Sequence, residues 1–231
     1  TFEELLSGIL DAQWIEISGI VRNVDTNFPG GFGRWHMDLP VPGGKLSVLL
    51  NGDKPADVAP DAQVRVQATC FYLFTQNRQV LRPMLLVPNR VPVEVLHPPP
   101  GEAEELPLRP VGSLLEFSPE SARGHRVHVR GIVTRQDLGT FVWIRDPSGA
   151  LRIQTRQSER LEPGDEIDVL GFPKYGSFIP ALKDAAIFQK RSSGKPPVPI
   201  DLPTLEAAFS HQADLVAVVA TLSDVQRLPD G

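Results

Sequence analysis

The chain has 231 residues, 41% hydrophobic and 22% charged, a composition that excludes wholesale disorder and suits one to two ordinary domains. Its formal net charge of −5 argues against general electrostatic attraction to nucleic acid. A single cysteine, Cys70, excludes an intrachain disulfide, and no run approaches the ~18 apolar residues of a membrane span.

Thr1 and Glu4 have capping-box spacing at the head of a short apolar helix over 2–6. A strand over 14–24 follows. It alternates Ile15 and Ile17 with Glu16 and Ser18, then shifts phase at Gly19, which predicts a bulge or bend there. Further strands are predicted over 34–39, 45–51, 63–70 and 79–87. Seven prolines and the run Glu102-Ala103-Glu104-Glu105 mark 88–110 as extended and stiff. A second helical phrase at 114–117 leads into a strand over 127–134, with its phase shift at Gly131. A hairpin turns at Asp146-Pro147-Ser148-Gly149, and strands over 166–171 and 178–188 complete the set. After Pro196-Pro197-Val198-Pro199, a third helical phrase at 205–209 and a strand over 215–225 begin again and stop at Gly231.

The chain thus repeats one phrase, a short helix then a bent strand, three times, and repeats outrank local signals in fixing a fold. The predicted fold is all-β with short helices: tandem five-stranded barrels, each preceded by a short helix. The first barrel covers 1–96, a Pro/Glu-rich linker 97–110, the second barrel 111–190, a Pro-rich linker 191–203, and the truncated start of a third repeat 204–231. Gly19 to Gly131 is 112 residues and Pro60 to Pro163 is 103, so the first unit carries nine extra residues, assigned to loops near 27–33 and 40–44. A chain that starts at Thr1 with no signal-like segment reads as a piece of a longer protein.

Five strands with a bent, glycine-containing first strand match the OB barrel. The phrases Arg130-Gly131-Ile132-Val133, Ile144-Arg145-Asp146-Pro147-Ser148-Gly149-Ala150-Leu151-Arg152-Ile153 and Leu161-Glu162-Pro163-Gly164-Asp165-Glu166-Ile167-Asp168-Val169 carry the likeness. They resemble the tandem OB-like repeats in the extracytoplasmic N-terminal regions of bacterial sensor histidine kinases and related diguanylate cyclases. That resemblance implies a non-catalytic sensory region, periplasmic, in a parent anchored in the inner membrane. The implied partners are an unknown small molecule or protein and the adjacent OB repeats.

No enzyme motif is present. There is no nucleophile elbow, and Ser193-Gly194-Lys195 lacks the upstream glycine of a phosphate loop. Neither a cofactor nor a metal is expected: His125 and His128 point to opposite faces of an extended segment, and His36, His97 and His211 have no ligand-spaced neighbours. The expected ligand or partner surface is aromatic. In the first unit it comprises Phe28, Phe32, Trp35, Tyr72, Phe74 and Arg78; in the second, Phe141, Trp143 and Tyr175. Phe141, Trp143 and Arg145 share one strand face, opposite Val142 and Ile144. These rings either close the barrels, contact a neighbouring repeat or partner, or stack single-stranded bases. A single-stranded nucleic-acid module and a structural spacer or adhesion array are therefore the alternative functions.

Overall fold

The computed structural model describes residues 2–26, 35–41, 43–53, 57–77, 80–102, 105–115, 124–174, 180–204 and 206–221. The chain forms two units, Thr1–Pro107 with Ser118–Val127, and Leu108–Phe117 with His128–Gly231.

In the first unit α1 (Phe2–Leu6) precedes β1 (Trp14–Ile20), β2 (Asn23–Asp25), β3 (Trp35–Val41), β4 (Gly44–Leu50), β5 (Gln63–Phe74), β6 (Val80–Val87) and β7 (Glu94–His97). The sheet order is β1-β5-β6-β4-β3-β2, with β7 also on β5. Only Val21 and Arg22 separate β1 from β2, so the two ends of this sheet are one stretch of chain and the sheet closes on itself. The change of partner occurs at those two residues: Val21 N–H donates to Ala62 O and Arg22 N–H to Asp38 O. Gly19 itself pairs in regular register with Val64, so the bend lies two residues beyond the glycine. Alternation along β5 points Val64, Val66, Ala68, Cys70 and Tyr72 into the core with Met37, Leu39, Leu46 and Val48.

The second unit runs β8 (Val127–Asp137), β9 (Phe141–Asp146), β10 (Gly149–Gln154), β11 (Asp165–Pro173) and β12 (Ala181–Ser193), closed in the order β10-β12-β11-β8-β9. Strands one, two, three, five and four thus neighbour each other in a ring, with a parallel pair between the third and fifth, in both units. This is the five-stranded OB-like barrel. β8 is bulged between Val133 and Arg135, the position matching Val21 at the offset of 112. β12 continues three residues past the boundary at 190 read from sequence.

The helical lead-in of the second unit is a 3-10 helix, Val111–Leu115. The β9–β10 turn caps it: Asp146 Oδ2 accepts from Val111 N–H at 2.9 Å, and Ser148 Oγ accepts from Gly112 N–H at 2.8 Å. The third phrase gives another 3-10 helix, Glu206–Ser210, and a two-stranded parallel pair, β13 (Ile200–Asp201) with β14 (Val216–Ala217). Of the strand expected over 215–225, the described residues pair at 216–217 and are irregular over 218–221, and 222–225 lie outside the described residues. A strand needs a neighbour for its backbone groups, and β13 offers two residues.

Candidate functional site

The outer face of β8, β9 and β10 gathers cations and rings in an alternating row. Along β9, Val142 and Ile144 are buried, whereas Phe141, Trp143 and Arg145 are half-buried on the outward side. Phe141 and Trp143 lie with ring centroids 5.8 Å apart and planes tilted by 49°. The Arg135 guanidinium, cross-strand from Trp143, sits 5.2 Å from the Trp143 ring centroid. On the other side the Arg152 guanidinium sits 5.1 Å from the Phe141 centroid. The row Arg135, Trp143, Phe141, Arg152 thus crosses three strands, each cation attracted by the electron-rich ring face. Asp137 fixes Arg135, its Oδ1 accepting at 3.1 and 2.9 Å. Among the described residues Arg152 has no carboxylate partner in an ion pair.

Beside this row, on the same barrel, is a groove of about 740 Å³ with apolar walls from Leu108, Ile132, Pro147 and Pro197. Arg130 and Arg145 line it as well. Residues 128–160 hold six arginines, no lysine and three carboxylates.

One carboxylate anchors the back of this region. Asp168 on β11 is fully buried and accepts from His128 Nε2 at 2.9 Å and Arg130 Nε at 2.8 Å, with Arg191 Nε as a third partner. Burial alone raises the Asp168 pKa, but hydrogen bonds from Arg130, His128 and Arg191 outweigh it and hold the carboxyl below its ordinary range. The matching residue of the first barrel, at the offset of 103, is Arg65, flanked by Glu16 at 3.7 Å and Glu94 at 3.1 Å. The same position carries opposite charge in the two repeats.

Of the set expected in the first barrel, the described members are Trp35, Tyr72 and Phe74, and the Tyr72 and Phe74 rings lie with centroids 6.4 Å apart and planes tilted by 47°. Tyr72 belongs to the core and is 6% exposed, because it continues the inward alternation of β5; burial pushes its phenol up to about 12. Trp35 is half-buried against the same core. A register shift between Leu73 and Phe74 turns Phe74 outward, 53% exposed. Phe28, Phe32, Arg78 and Tyr175 lie outside the described residues. Phe141 and Trp143 are brought together as the sequence placed them. Arg135 and Arg152, their cationic covers, were not singled out; the strand pairing that brings them opposite Trp143 was the available signal.

His125 and His128 approach different carboxylates, Asp61 and Asp168, each at 2.9 Å. No group of three or more His, Cys, Asp or Glu side chains placed to hold a metal occurs among the described residues. Likewise no described helix is long and apolar enough to cross a membrane.

Two closed barrels of this strand order make the protein a tandem OB-like chain. No family model and no curated protein matches it. Among solved structures it is similar to the Ifi202 HINa domain in complex with double-stranded DNA, at 12% identity and a TM-score of 0.33, covering 77% of this chain and 97% of that one. It is also similar to a murine DNA-binding protein bound to double-stranded DNA, at 14% identity and a TM-score of 0.32, covering 77% and 100%.

Proposed function

We propose that the second barrel is a single-stranded nucleic-acid-binding module, with the outer face of β8, β9 and β10 as its platform. The observation that carries this reading is the row Arg135, Trp143, Phe141, Arg152. OB barrels use the face of their second and third strands for oligonucleotides, and here those strands are β9 and β10. Unpaired bases stack on aromatic rings and on guanidinium planes, whatever their sequence. The same arginines supply charge to the phosphates that flank a stacked base.

The whole-chain charge of −5 argued against this partner. That argument averages over the molecule, while a strand of nucleic acid meets one face. On 128–160 arginines outnumber carboxylates two to one. A small apolar ligand, the other occupant an aromatic face suits, makes the opposite demand: binding that ignores salt and phosphate.

The test is titration of the full chain with a fluorescent deoxythymidine oligonucleotide at low salt. Trp143→Ala is expected to weaken binding by about 1–3 kcal/mol, the usual worth of one stacked base. The thermal transition should stay cooperative, because Trp143 lies on the outer face while Val142 and Ile144 fill the core. No binding by the wild type, or a Trp143→Ala protein that binds equally well, overturns the assignment.

A further inference from the structure

Arg145 follows Trp143 on the same face of β9 and also lines the adjoining groove, so a strand leaving the stacking row would next meet its guanidinium. That guanidinium is already engaged. Arg145 Nη1 donates to Asp214 Oδ1 at 2.7 Å, and the Asp214 side chain is 9% exposed. His211 Nδ1 lies 3.4 Å from the other oxygen of the same carboxylate. Ala213, the residue before, has φ of +67°, a left-handed conformation that is unfavourable for a residue with a Cβ. Strain of this kind persists where surrounding contacts over-determine the backbone, and here it brings a carboxylate onto an arginine.

The described residues of 200–221 are half-buried at most. The 3-10 helix Glu206–Ser210 contains no buried residue, and Phe209 is 78% exposed. β13 and β14 pair with each other over two residues each, not with the barrel. Among the described residues, Arg145 to Asp214 is the ion pair that ties 200–221 to the barrel strands.

We propose that Asp214 occupies at Arg145 the place of a backbone phosphate, and that 206–221 is a displaceable cover in competition with single-stranded nucleic acid for the second barrel. This rests on the nucleic-acid reading of that face. A carboxylate and a phosphate both present oxygen acceptors to the same guanidinium donors, so the two compete for them. The cover sets affinity through the difference between the two engaged states.

Four full-length proteins test this with the same deoxythymidine oligonucleotide: wild type, Asp214→Asn, Arg145→Gln and the double variant. Asp214→Asn is expected to tighten binding roughly two- to fivefold, the scale of one partly exposed ion pair. In the Arg145→Gln background the same change should have no effect, since nothing is left to release. Hydrogen exchange in wild-type residues 211–217 should speed up when oligonucleotide is added. If wild type binds through Trp143 but Asp214→Asn binds no tighter and exchange is unchanged, the cover is wrong and the platform stands. If none of the four binds, the platform itself is wrong, and the cover falls with it.

Discussion

Asp168 shows how much one side chain of the second barrel supports. Its carboxylate is fully buried and gathers His128, Arg130 and Arg191 from two neighbouring strands. Removing one member of a buried ionic cluster strands the others without a counter-charge. Asp168→Ala should therefore lower the stability of the second barrel by about 2–4 kcal/mol, read from its denaturant midpoint. The cluster also gives a signed pH dependence. The folded pKa is depressed, so the stabilisation is present above the ordinary carboxylate pKa of roughly 4 and is lost as pH falls from there through the lower folded value. Asp165 adds to the same acid limb: burial raises it, but Lys190, the Glu162 N–H and Ser193 bring it down. In Asp168→Ala the decline below about pH 4 should be shallower than in wild type. A decline of equal depth in both proteins would show that the cluster is not its source. The sequence contained the means to find this cluster. The offsets of 103 and 112 place Asp168 on Arg65 and His128 on Glu16, a charge reversal visible without coordinates. Spacing along the chain excludes a shared metal at His128 but does not show its carboxylate, which lies forty residues away and becomes its partner only when the barrel closes.

Among the elements, two glycines at equivalent places in β1 and β8 have different surroundings. A Cβ on Gly131 would meet Arg145 O and Ile144 Cδ1, each at 3.0 Å. A Cβ on Gly19 would meet nothing closer than Pro40 O at 3.5 Å, an ordinary contact. Gly131→Val should cost about 1–3 kcal/mol, and Gly19→Val clearly less, in matched denaturant titrations. Equal losses would mean that strand entropy, not close approach, sets the cost. Period-two alternation made β1, β5 and β9 readable, since their two faces differ in burial, whereas β3, β4 and β11 are buried over consecutive residues and read as apolar runs. The exact place where the first strand changes partner was not readable. Gly19 and Gly131 mark the neighbourhood, but the switch falls at Val21 and Arg22 in one barrel, and the bulge between Val133 and Arg135 in the other. Those positions are fixed by closure of the sheet, a condition on the whole ring of strands. The third repeat marks the limit of local reading. Leu215 to Thr221 has strand composition, yet a strand is a property of a pair, and of these residues Val216 and Ala217 find a partner.

Over the whole molecule, the repeat made the architecture legible: two copies of one strand order could be counted from phrases of similar shape. The aromatic face was half legible. Phe141 and Trp143 stood out because a strand puts alternate residues on one side. Tyr72 misled because the same alternation, continued two residues past the predicted strand, carries it inward. The arginines that cover the rings come from strands on both sides of β9, and net charge hides them. The measurement that bears most directly on the nucleic-acid platform is the salt dependence of oligonucleotide affinity. If two or three of Arg135, Arg145 and Arg152 meet phosphates, log K should fall linearly with log salt with a slope of about −1.5 to −2, the counterion release expected for a single strand. A flat line, or no affinity at the lowest salt, would contradict the platform and leave the aromatic face to an uncharged ligand or a protein partner.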